Sequence, residues 1–124
     1  MHETSIYDFE LPDIDERLSG DDLELAFRVT DADGNGVDIS DATVSWGMWE
    51  RPYEDDSADA ILSDADSGVE TVTDSRVDTQ NGEWEVRIDG EATDDIWGEY
   101  WHRPRVEQSD GTEASWRGRI ELTA

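Results

Sequence analysis

Cysteine and lysine are both missing from this chain, and histidine occurs only twice, at His2 and His102. The lack of cysteine removes disulfides, thiol catalysis and thiolate metal sites together. No apolar run approaches the ~20 residues that span a bilayer, so no membrane partner is expected. The opening Met1-His2-Glu3-Thr4-Ser5 has neither a basic n-region nor an apolar h-region, which predicts no secretory signal. No G-x-S-x-G, Walker, H-E-x-x-H or Rossmann pattern is present. His102 falls on the apolar side of an alternating segment, where a packed core histidine is expected before a general base. These absences predict a protein without catalytic residues.

What is present in excess is negative charge. Thirty-four acids face nine bases, all of them arginine, for a formal net charge of −25. Self-repulsion on that scale costs stability in dilute buffer. In molar salt the Debye length falls to ~3 Å, so repulsion is screened and a carboxylate surface stays hydrated. Extreme acidity without lysine therefore predicts a protein of a halophile's cytoplasm, or of a virus that infects one. An acidic disordered tail is the other reading of such a composition, and regular strand patterning opposes it. Nucleic-acid binding is not expected, because phosphate neutralisation needs clustered positive charge.

A length of 124 residues suits one domain, and six tryptophans supply large core candidates. Alternation is clean in Leu23–Thr30, with Leu23, Leu25, Phe27 and Val29 apolar. It recurs with Ala42, Val44, Trp46 and Met48, with Trp84, Val86 and Ile88, and with Tyr100, His102 and Val106. The last strand carries Trp116, Gly118, Ile120 and Leu122 on its inner face, and short strands are expected at Ala58–Ser63 and Val69–Thr73. Asp33-Gly34-Asn35-Gly36, Asp66-Ser67-Gly68, Asn81-Gly82 and Asp110-Gly111 punctuate them as turns. The one helical signal is Thr93-Asp94-Asp95-Ile96-Trp97, read as a single turn with Thr93 as N-cap. The expected fold is all-β: an antiparallel immunoglobulin-like sandwich of about seven to eight short strands over residues 20–124. Residues 1–19 read as an N-terminal arm. Its Ile6, Tyr7, Phe9 and Leu11 are candidate docking residues, for the domain itself or for a neighbouring subunit.

Two further clusters are candidate sites. Asp31-Ala32-Asp33-Gly34-Asn35-Gly36 matches the first half of an EF-hand-type calcium loop, with Asp31, Asp33, Asn35 and Asp38 as possible ligands. The twelfth position is Ala42 rather than a bidentate Glu, so a plain hairpin loop is the stronger reading and no cofactor is expected. Arg103, Arg105, Arg117 and Arg119 crowd the last quarter of the chain. A three-residue loop Ser109-Asp110-Gly111 puts Arg103 opposite Arg117 and Trp101 opposite Arg119, all facing outward. Trp101 and these arginines form a candidate partner-binding face, since Trp and Arg are enriched at interface hot spots. In-sheet carboxylates that neutralise the arginines are the competing explanation. Trp49 and Trp101, if exposed and coplanar, suit the alternative of a surface carbohydrate-binding or adhesion module.

The run Gly20-Asp21-Asp22-Leu23, a strand, then Val29-Thr30-Asp31-Ala32-Asp33-Gly34-Asn35-Gly36-Val37-Asp38-Ile39-Ser40-Asp41-Ala42-Thr43-Val44 resembles a domain of tailed-phage virion proteins. That domain is similar to the immunoglobulin-like N-terminal domain of phage baseplate upper proteins. Gly98-Glu99-Tyr100 and Gly118 fit the same pattern, which spans about residues 20–122. Ile39 and Asp41 stand where the pattern has Leu and Gly, and the acidic arm is an addition. The resemblance implies a non-enzymatic virion structural protein of head, connector or tail, with other virion subunits as partners in a multi-copy or homo-oligomeric assembly. Joined to the charge, it implies a tailed virus of a halophilic archaeon, the protein being made in the host cytoplasm.

Overall fold

The strand-forming power of the chain lies in its period-two segments, and a computed structural model shows where each one goes. It describes residues 20–51, 56 and 59–123, together with the strand 14–18. Nine strands form among the described residues: β1 (Ile14–Leu18), β2 (Leu23–Arg28), β3 (Thr43–Trp49), β4 (Leu62–Ser63), β5 (Val69–Val72), β6 (Glu83–Ile88), β7 (Gly98–Glu107), β8 (Glu113–Ser115) and β9 (Gly118–Thr123). Leu23, Leu25 and Phe27 of β2 point inward while Glu24, Ala26 and Arg28 face out, as the alternation requires. β6, β7 and β9 repeat the rule.

Two sheets result. One has the order β2-β6-β5; the other runs β1-β9-β7-β3-β4, with β8 also paired to β7. This division is that of an immunoglobulin-like sandwich. The inner faces meet in one cluster that includes Trp46, Met48, Val106 and Ile120 from the larger sheet and Leu25, Phe27, Trp84 and Val86 from the smaller. Phe27 and Trp84 pack with ring centroids 4.8 Å apart and planes tilted by 42°. Burying each large apolar side chain contributes on the order of 2–3 kcal/mol, which makes this cluster the main source of stability.

The boundary expected at residue 19 is not where the sandwich begins. Ile14–Leu18 pairs in parallel with β9, Ile14 beside Ile120 and Leu18 beside Thr123, with a bulge between. The arm reading missed this strand because a parallel edge strand needs no hairpin turn to announce it, and Asp13, Asp15 and Glu16 mask its pattern. Otherwise the pairing is antiparallel. The extra strand in the count comes from a break: β8 and β9 share one register opposite β7. They are interrupted where Pro104 has no N–H to donate, and there Trp116 N–H still reaches Pro104 O at 3.3 Å.

The helical turn also differs. A 3-10 turn runs Gly90–Thr93, and Asp22 Oδ1 accepts its first N–H, from Gly90, at 2.7 Å. Thr93 ends that turn, and its carbonyl accepts from Ile96 N–H at 3.0 Å in the next. It is buried, and its Oγ1 accepts from Gly20 N–H at 3.1 Å. Gly82 closes the turn into β6 with φ +84, and a Cβ there would collide with Val29 O, so glycine is obligatory.

Candidate functional site

The outward residues of β3, β7, β8 and β9 build one continuous face. Register sets its rows. Glu107 lies between Thr43 and Glu113, Arg105 between Ser45 and Ser115, Trp101 between Trp49 and Arg119, and Glu99 beside Glu121. Arg103 lies beside Gly47, and the register that holds on both sides of the Trp116–Arg117 break puts Arg117 on its other flank. The turn that fixes this register is the one read from sequence: Gly111 adopts φ +91 and its N–H donates to Gln108 O at 2.9 Å. The four arginines thus share one side of one sheet with Trp101.

Their charge is partly balanced in place. Arg105 pairs with Glu113 at 3.3 Å and Arg119 with Glu99 at 3.2 Å. Arg103 donates to Ser115 Oγ at 3.3 Å. Arg117 is exposed. Arg105 Nε is shielded from water without a hydrogen-bond partner among the described residues. Four arginines and four glutamates make the face electrically neutral in a chain that carries −25. In-sheet glutamates pair with two of the arginines, as the competing explanation requires, and the register places Arg103 and Arg117 side by side.

The two tryptophans considered for sugar stacking do not form a platform. Trp49 is buried on the outer side of β3: its indole lies across Gly47, where a Cβ would collide with the ring, and its N–H donates to Asp56 O at 2.9 Å. A strand position alone could not reveal the loop that covers it. Trp101 is half-buried beside it, and the strongly exposed tryptophan is Trp97, at 64%. Trp97 precedes β7, and sequence reading placed it only as the end of a helical turn.

The Asp-rich loop folds as a hairpin bend. Asp31 Oδ1 accepts from the N–H groups of Asp33 and Asn35 at 2.9 and 3.0 Å, and Thr30 bridges Gly36. Asp38 Oδ1 is engaged by Ser40 N–H and Oγ, which hold its carboxyl below the ordinary range. Among the described residues no three His, Cys, Asp or Glu side chains group as a metal site. Ile6, Tyr7, Phe9 and Leu11 lie outside the described residues.

His102 is fully buried between the sheets. Its Nδ1 accepts the Trp46 indole N–H at 3.0 Å, which fixes a tautomer with Nδ1 unprotonated, and Phe27 packs near it. This is the packed core histidine expected from the sequence. Among the described residues no helix is long and apolar enough to cross a membrane.

No protein-family model and no curated protein matches the chain. Among solved structures it is similar to AggA, the major subunit of the aggregative adherence fimbriae type I of Escherichia coli. The two share 13% identity over 94% of this chain and 93% of that one, with a TM-score of 0.44.

Proposed function

We propose that this chain is a non-enzymatic structural subunit that assembles in several copies, docking through the neutral outer face of β7, β8 and β9. The observation that carries the reading is the segregation of charge. A surface this acidic repels other acidic subunits least where four of its nine arginines are gathered with Trp101 on one sheet face. Ser45 and Ser115 flank Arg105 with small side chains, so a partner's backbone can approach it.

The assembly we assign it to is the virion of a tailed virus of a halophilic archaeon. The resemblance of residues 20–122 supports the virion, and the lysine-free acidity supports the salt-rich host. The N-terminal arm, through Ile6, Tyr7, Phe9 and Leu11, is a second docking element of this reading. Light scattering in ~3 M salt tests the proposal. The expected result is an assembled mass that drops for Arg103→Glu with Arg117→Glu; an unchanged mass for that variant refutes the face as an interface.

A further inference from the structure

We infer that the neutral face takes a second copy of this chain, packed face to face about a two-fold axis running across the strands along the Trp101–Arg119 row. The inference rests on the assembly role proposed above and names the partner of that same surface.

Charge on the face is ordered by row. From one end come Glu107 with Glu113, Arg105 with Ser115, Arg103 with Arg117, Trp101 with Arg119, and Glu99 with Glu121. Successive rows are about 7 Å apart, since each residue of a strand rises about 3.4 Å. An isologous contact lays each row on the row at equal distance beyond the axis. With the axis on the Trp101 row, Arg103 and Arg117 of one copy lie over Glu99 and Glu121 of the other, and the reverse pair forms by symmetry. Four charge-matched contacts then flank a Trp101–Trp101 centre, which is the aromatic core and polar rim of a specific interface.

Other axis positions do worse. An axis on the Arg103 row stacks four guanidiniums. One on the Arg105 row sets Arg105 against itself with no apolar group at the centre. At the Trp101 row the one charged residue that meets its own mate is Arg119, and each Arg119 brings its own Glu99, bonded at 3.2 Å. That carboxylate has further lone pairs for the second copy's Arg103.

A charge-swap mixture tests this. The unaltered chain is expected to dimerise by light scattering. Arg103→Glu with Arg117→Glu, and separately Glu99→Arg with Glu121→Arg, are each expected to associate at least about tenfold more weakly. An equal mixture of the two variants is expected to recover a heterodimer, because the all-acid face of one meets the all-arginine face of the other. Cooperative melting of each variant separates lost docking from lost folding. A mixture that stays monomeric while the unaltered chain dimerises overturns the two-fold contact but leaves the face free to bind another subunit. An unaltered chain that is monomeric overturns self-docking, and a dimer indifferent to both swaps overturns the assembly role of the face itself.

Discussion

The two sheets of this sandwich treat arginine in opposite ways. Beyond the smaller sheet each arginine is answered by its own strands and loops. Arg87 sits within 3.2 Å of Glu85 and 3.9 Å of Glu24, and Arg76 bonds both Asp74 and Glu70. Arg28 lies opposite Glu83 and donates to Asn81. That face is compensated, and acids remain in excess. The larger sheet instead gathers four arginines with four glutamates and a tryptophan, and sets two arginines side by side. Exposed ion pairs contribute at most about 1 kcal/mol each, so neither pattern is explained by stability. What differs is the arrangement: Arg28 lies beside Glu83 and Arg87 between Glu24 and Glu70, whereas Arg103 and Arg117 adjoin each other. In the reading proposed above, the first arrangement suits a solvent face and the second a contact.

The inner sides of the sheets allow the sharpest test of this contrast. Trp46 under the larger sheet and Trp84 under the smaller are both fully buried, but only Trp46 has an N–H partner; Trp84 Nε1 has none among the described residues. Trp46→Phe is expected to cost about 1–3 kcal/mol more than Trp84→Phe, because it orphans His102 Nδ1. Denaturant melts of the two variants measure the difference. Next in size, Gly47→Ala is expected to cost about 1–3 kcal/mol, since the new methyl must displace the Trp49 ring, and Trp49 emission should shift to the red. Arg28→Glu with Arg87→Glu, on the smaller sheet, is expected to leave the assembled mass unchanged while lowering stability by no more than about 1 kcal/mol per lost pair. The same mass measurement that detects loss in Arg103→Glu with Arg117→Glu checks it. The smallest effect concerns pH. Hydrogen bonds from the Arg76 side chain and amide hold the Asp74 carboxyl at about 2, below its ordinary 3.8. A depressed carboxylate adds stability above its ordinary value and loses it as pH falls from about 4 to about 2. Carboxyl NMR of Asp74 should titrate near 2, and in Arg76→Gln it should return toward 3.8.

Alternation made the core strands legible from sequence, as in Leu23–Phe27 and Trp84–Ile88, because each strand has one dry and one wet side. The hairpin at Ser109-Asp110-Gly111 was legible too, and with it the whole arginine face, because glycine in a left-handed turn fixes register by itself. The parallel strand Ile14–Leu18 was not legible: its partner β9 lies a hundred residues away, and no local signal encodes that pairing. Trp49 was misread for the same reason, its cover coming from a neighbouring loop that contributes Asp56. The Asp31 loop offered ligand-like spacing, but its carboxylate is turned to its own backbone amides, as short Asx bends do.

Hydroxyl-radical footprinting across a concentration series in ~3 M salt tests the central claim most directly, because it reads both sheets in one experiment. The account predicts that Trp101 and the arginines beside it lose reactivity as the chain assembles, while Glu24 and Arg87 on the smaller sheet stay unchanged. Protection that appears on the smaller sheet, with Trp101 as reactive at high concentration as at low, would contradict it.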